Sequence, residues 1–159
     1  MNGMGDGTFQ PNMPLTREML AVVLYNVEEQ PESAGIITFK DVAAGKWYTD
    51  AIAWASQYGI VAGYSETEFG LGDPITREQF AAILYRYANW KGYDTSKKND
   101  LLAYTDVGEI SGYAVEAMKW AVASEIIHGV TDTTLVPQGK ATRAEAATML
   151  MNFCENVVK

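Results

Sequence analysis

A thirteen-step interval from a Gly to a Thr occurs three times without gaps, from Gly3 to Thr16, Gly63 to Thr76 and Gly129 to Thr142. Each Thr is followed by an arginine: Arg17, Arg77 and Arg143. Such self-similarity means that one supersecondary unit has been copied, so the fold must be built from stacked copies. The register continues past the Thr. Apolar residues recur four, seven, eight and eleven positions on, as Leu20/Val23/Leu24/Val27, Phe80/Ile83/Leu84/Tyr87 and Ala146/Met149/Leu150/Phe153. Those offsets trace one face of an α-helix. Amphipathic helices are therefore predicted over about 16–29, 76–90 and 142–157, packed together through these faces.

The Thr accounts for where each helix starts, because its hydroxyl can accept a bond from an orphan backbone N–H. Gln79 and Glu145 stand three residues after Thr76 and Thr142, the spacing of a capping box. The first copy has Met19 there and is expected to lack the reciprocal half. Upstream, Phe39-Lys-Asp41-Val42 matches Tyr104-Thr-Asp106-Val107, and Ala51-Ile-Ala-Trp54-Ala matches Ala117-Met-Lys-Trp120-Ala. These read as shorter helices near 49–58 and 113–124. Residues 30–38 and 91–102 read as connectors. No period-two strand is evident, so the class is all-α, built of helix-loop-helix units. The boundaries are a partial repeat over 1–30, a repeat over 39–90 and a repeat over 103–157, within one domain spanning 1–159. The first copy has no short helix, so the surface of its long helix beside Val22 and Val23 is expected to be open and to promote self-association.

Composition narrows the function. The net charge is -8, with no Lys/Arg cluster, which argues against nucleic acid and anionic lipid as partners. No apolar run approaches the roughly 20 residues of a membrane-spanning helix, so no membrane insertion is expected. The single cysteine, Cys154, falls on the apolar side of a helix and is expected to be a small buried residue. The one histidine, His128, reads as a loop-edge polar group, and no His-based metal cluster can be assembled. Asp6-Gly7-Thr8 lacks the alternating acids and distal Glu of a calcium loop. Glu18, Glu78 and Glu145 sit in helix first turns, where negative charge is stabilising in any case. No nucleophile–base pair, and hence no catalytic residue, is identified, and no cofactor is expected.

The pattern resembles the S-layer homology domain. The second copy carries it most fully: Phe39-x-Asp41-Val, Trp47-Tyr48-x-Asp50-Ala-Ile-x-Trp54-Ala, Gly59-Ile-Val-x-Gly63-Tyr, and Ile75-Thr76-Arg77-Glu78-x-Phe80-Ala. The third holds the signature tetrapeptide Thr142-Arg143-Ala144-Glu145. Met19 and Gln79 stand where the signature Glu would be, and Glu125 replaces the counterpart of Gly59. The resemblance implies a pseudo-threefold helical bundle. It also implies a non-catalytic, extracellular anchoring module on a bacterial surface, which binds secondary cell-wall polymer ending in a pyruvylated amino sugar in grooves between repeats. A helical-repeat scaffold for protein interaction or self-assembly is the alternative.

Several residues carry the binding expectation. Arg17, Arg77 and Arg143 stand at helix starts, where a cation is slightly unfavourable unless it has a partner. That partner is either a ligand carboxylate, gripped by the planar guanidinium alongside exposed helix N–H groups, or a carboxylate of the protein's own loops. Trp47, Tyr48 and Tyr113 lie in turns before the short helices and are candidate sugar platforms. Trp54 and Trp120 read as core. Gly63 and Gly129 provide a positive φ or a close backbone approach, which would also admit a sugar. Asp41 and Asp106 either cap local backbone or pair with arginine. Glu145 completes the candidate set.

Overall fold

The structure is a computed structural model that describes residues 10–33 and 35–158. Residues of the repeat that precede these, including Gly3, Phe9 and the Asp6-Gly7-Thr8 stretch, lie outside the described residues. The fold is all-α. It comprises α1 (Arg17–Val27), α2 (Thr49–Gln57), α3 (Arg77–Lys91), α4 (Val115–Ala123) and α5 (Arg143–Phe153). Short 3-10 turns at Val107–Glu109 and Gly112–Ala114 precede α4, and a π turn, Cys154–Val158, comes after α5. Extended pairing among the described residues is limited to isolated bridges, Pro14 to Thr142, Thr16 to Pro74 and Thr76 to Lys140.

Each long helix starts at its Thr. Thr16, Thr76 and Thr142 have extended backbone, and their hydroxyls accept from the N–H three residues on. All three form capping boxes, which corrects the expectation for the first copy. The Thr16 N–H reaches the Met19 sulfur at 3.5 Å, so a thioether, a weak acceptor, fills the place of the Glu or Gln oxygen. A residue at positive φ follows each of the first four helices. Gly92 closes α3 at φ 78°, and Gly59 comes after α2 at φ 70°. Glu125 takes the place of Gly59 after α4 and is forced to φ 58°.

The chain divides into two compact units. In Leu15–Pro74, α1 packs along α2. Leu20, Ile52, Trp54 and Phe69 are fully buried there, and the rings of Tyr25 and Trp54 meet at 5.7 Å. The other unit combines Met1–Pro14 with Ile75–Lys159, and in it α3 packs along α4. Phe80, Leu84, Met118 and Trp120 fill its core, and Tyr85 meets Trp120 at 5.4 Å. Phe153 of α5 joins the same cluster, 6.0 Å from Tyr87 and 6.2 Å from Trp120. Each fully buried large side chain contributes about 1.5–3 kcal/mol through removal from water, so these aromatic and aliphatic clusters dominate the packing.

The pairing order departs from expectation. Within each unit a short helix packs along the long helix of the copy before it, α2 on α1 and α4 on α3. Thus α1 is sheathed by α2, and Val22 and Val23 are half-buried.

Nine of the twelve predicted face positions are buried: Leu20, Leu24, Phe80, Ile83, Leu84, Tyr87, Ala146, Met149 and Phe153. Val23 and Leu150 are half-buried. Val27 is exposed because α1 ends there and the chain turns away through Glu29 and Gln30, both at positive φ. Cys154 is also exposed, contrary to expectation. The helix changes to π geometry at that residue, which swings the side chain off the apolar face.

Candidate functional site

The three arginines are buried, with exposures of 5% for Arg17, 7% for Arg77 and 4% for Arg143. An exposed helix start is therefore not where the side chains sit. Arg17 donates from Nε to the Phe69 carbonyl at 3.2 Å and from Nη2 to the Ala62 carbonyl at 2.6 Å. Its guanidinium lies over the rings of Tyr64 and Phe69, 4.7 and 5.0 Å from their centres. Arg77 repeats the arrangement, donating from Nε to the Leu135 carbonyl at 2.8 Å and from Nη2 to the His128 carbonyl at 2.6 Å. Its remaining nitrogen, Nη1, faces Glu145 Oε2 at 3.6 Å. Burial draws the Arg77 pKa down, and the charges of Glu145 and Asp106 oppose that shift.

Aspartate clamps the same loops from the other side. The N–H groups of Phe69, Gly70 and Leu71 all donate to the Asp41 carboxylate at 2.9 Å. Leu135 and Val136 donate to Asp106 at 3.0 and 2.8 Å. Partial burial alone would raise these carboxyl pKa values. The backbone bonds outweigh it and hold both below the usual aspartate range, with Arg77 adding to the effect at Asp106. Each loop thus has its carbonyls on an arginine and its N–H groups on an aspartate: Arg17 with Asp41 in one unit, Arg77 with Asp106 in the other.

The helix N-termini are occupied as well. The Arg77 N–H donates to the Gly139 carbonyl and that of Glu78 to Pro137, at 2.8 and 3.0 Å. Arg143 and Ala144 donate likewise to Met13 and Pro11, and Arg17 to Asp73. The exposed donors expected beside the arginines are therefore engaged by the protein's own loops. Glu18 and Glu78, read from sequence as ordinary first-turn acids, extend the clasp. Glu18 accepts from the Gly72 N–H with both oxygens, at 3.1 and 3.0 Å, and Glu78 accepts from the Ser111 N–H and the Gln138 amide. Both glutamates are buried. The available signal was the Glu directly after Arg in the first two copies, replaced by Ala144 in the third.

The glycines serve close approach. Neither Gly63 nor Gly129 has positive φ. A Cβ on Gly63 would lie 2.5 Å from the Phe39 ring and from the Glu68 carbonyl, and one on Gly129 would strike Tyr104 and the Thr131 carbonyl. That space is filled by the protein's own aromatic rings. Among the platform candidates, Trp47 and Tyr113 are exposed, and Tyr48 stacks edge-on against Trp47 at 5.2 Å. Glu145 completes the Thr142 capping box and stays partly exposed beside Arg77.

A profile of the S-layer homology domain matches residues 1–18, 38–81 and 103–147. The chain belongs to the S-layer homology family. Several curated relatives of this S-layer homology chain match it over nearly its full length. It is 32% identical over 160 residues to a surface-layer 125 kDa protein of Lysinibacillus sphaericus, covering 99% of this chain and 13% of that one. It is 31% identical over 158 residues to an amylopullulanase of Thermoanaerobacterium thermosulfurigenes, covering 98% and 8%. A cellulosome-anchoring protein of Acetivibrio thermocellus is 30% identical over 160 residues, covering 98% and 35%. The S-layer homology chain therefore spans a minor part of each of these relatives.

Proposed function

We propose that the chain is a non-catalytic module that anchors a larger protein to the bacterial cell surface by binding secondary cell-wall polysaccharide. One observation carries the reading. The same stretch recurs in relatives named as a surface-layer protein, an amylopullulanase and a cellulosome-anchoring protein, as a minor fraction of each. A segment shared by proteins of such different names supplies what they have in common, and a common attachment fits better than a common reaction. Residues 1–159 are read as one module of three copies in pseudo-threefold arrangement, with boundaries 1–30, 39–90 and 103–157.

The proposed ligand end is a pyruvylated amino sugar. Arg77 is the charged contact. Two of its nitrogens are committed to carbonyls, whereas Nη1 has Glu145 at 3.6 Å, beyond a hydrogen bond, and is the nitrogen that a sugar carboxylate placed beside Glu145 would meet. Trp47 with Tyr48, and Tyr113, offer rings to the apolar faces of sugars. Arg17, Arg143, Asp41, Asp106, Gly63 and Gly129 shape the loops from which that ligand is met. The negative net charge gives no long-range attraction to an anionic polymer, so recognition is local.

Sedimentation with purified walls, before and after chemical removal of the secondary polymer, tests the reading. Retention on intact walls and release from stripped ones is expected. Equal retention on both rejects it. Trp47→Ala, on an exposed side chain, should reduce retention at least threefold with no change in Tm. An unchanged retention removes Trp47 from the site.

A further inference from the structure

The two units repeat one cluster of side chains, and a lysine fills it in only one of them. In the unit that holds α3 and α4, Tyr85 packs on Trp120, and the Lys98 ammonium lies 4.7 Å from the centre of the Tyr85 ring. Lys98 Nζ also donates to the Tyr85 hydroxyl at 3.1 Å and pairs with Glu116 Oε2 at 3.3 Å. Partial burial alone would lower the Lys98 pKa. The bonds to Tyr85 and Glu116 outweigh it and hold the group above the usual lysine value. Ring, hydroxyl and carboxylate together make a seat for an ammonium.

The Leu15–Pro74 unit builds the same seat from Tyr25, Asp50 and Trp54. Tyr25 stands nine residues after its capping Thr, as Tyr85 does, and Asp50 stands four before its tryptophan, as Glu116 does. The Tyr25 and Trp54 rings meet at 5.7 Å, close to the 5.4 Å of Tyr85 and Trp120. Burial and the charge of Asp50 both push the Tyr25 phenol up, so the carboxylate acts on that hydroxyl. The lysine is not repeated. Ser33 precedes Phe39 by six residues, as Lys98 precedes Tyr104, and its hydroxyl donates to Gln57 Oε1 at 3.0 Å. Among the described residues no lysine or arginine forms an ion pair with Asp50.

Two differences define what fits. Asp50 is one methylene shorter than Glu116, which leaves more room above Tyr25. Tyr58, 43% exposed and with its ring 6.4 Å from Trp54, stands where the other unit has the buried Ser124. Asp50, Trp54 and Tyr58 are spaced by four and share one face of α2 and its cap. Trp54 is fully buried, Tyr25 is half-buried, and Asp50 is exposed. A carboxylate beside two accessible rings suits a cation carried on a ring with apolar C–H faces.

We propose that Tyr25, Asp50 and Tyr58 form a binding site for a hexosamine with a free, positively charged amine. The ammonium lies between Tyr25 and Asp50, and the sugar ring lies against Tyr58. The site uses no residue of the Arg77 loop and does not rest on the polysaccharide reading.

The probe is D-glucosamine, titrated into the whole 15N-labelled chain below neutral pH, where the sugar amine is charged, and followed by NMR. So few contacts give a Kd on the order of millimolar. Saturable shifts of the Tyr25, Asp50 and Tyr58 amides are expected with glucosamine and not with N-acetylglucosamine at the same concentration and ionic strength. Asp50→Asn and Tyr58→Ser, the second taking the residue found in the other unit, should each weaken binding at least fivefold. The remaining amide resonances should stay in place, which separates loss of the site from loss of the fold. No saturation by about 100 mM glucosamine overturns the proposal, as does equal binding of N-acetylglucosamine or indifference to Asp50→Asn. Equal binding of n-butylammonium, unaffected by Tyr58→Ser, assigns the seat to an alkylammonium such as a lysine side chain and also overturns it.

Discussion

Asp41 and Asp106 do for a loop what a capping side chain does for a helix: one carboxylate gathers consecutive backbone N–H groups that would otherwise lie half-buried without acceptors. Charge-assisted bonds of this kind are worth about 1.5–3 kcal/mol. Asp41→Asn or Asp106→Asn should lower stability by about that amount at neutral pH. Because the folded pKa values lie below the ordinary aspartate value, the contribution is present above about pH 4. It is lost as pH falls through the folded value. Wild type and variants should therefore converge in unfolding free energy near pH 2. A gap that persists there would mean that the stabilisation is not carboxylate charge. Glu125 offers the opposite test. It holds φ 58° where Gly59 sits in the equivalent turn, and a left-handed conformation costs a non-glycine residue roughly 1–2 kcal/mol. Glu125→Gly should raise stability by about 0.5–1 kcal/mol after the added freedom of the unfolded chain is deducted. A lower denaturation midpoint would show that the Glu125 side chain makes a compensating contact.

The helices themselves were legible from sequence, because offsets of 4, 7, 8 and 11 from a Thr leave few alternatives to a capped amphipathic helix. Leu84, fully buried at the centre of α3, should lose about 2–5 kcal/mol on substitution by Ala. Val27→Ala on the exposed end of α1 should change stability by less than about 0.5 kcal/mol. A denaturant titration of both separates a correct register from a shifted one. Which helix covers which was not legible. Periodicity marks an apolar face but does not name its partner, and Tyr25 and Tyr85, which meet the tryptophans, lie outside the repeated apolar offsets. The arginines were misplaced for a related reason. A cation directly after a cap looks exposed in a linear reading. The loop carbonyls of Ala62, Phe69, His128 and Leu135 that surround it come from 45 to 58 residues away. Met19 failed as a cap in sequence terms because sulfur is discounted as an acceptor.

At the scale of the molecule, the compact unit and the repeated unit are out of step. Leu15–Pro74 begins at a long helix and ends at the next copy's loop, so compaction straddles the copy boundary. Native-state hydrogen exchange should reflect this order. Amides in α3, packed along α4, should be protected to near the global unfolding free energy, and those in the last turns of α5 should exchange by local opening. Comparable protection in α3 and α5 would mean that α5 is covered in solution.

Because α1 and α3 are each sealed by the short helix of the succeeding copy, the copies are not interchangeable cassettes. Loss of one by unequal recombination would damage the neighbour that precedes it rather than simply shorten the array. A viable cut must fall within a copy, just before a capping threonine and its arginine, where Pro14 meets Leu15 and Pro74 meets Ile75. Genes for such modules would then be shuffled in a frame offset from the one that their sequence similarity displays.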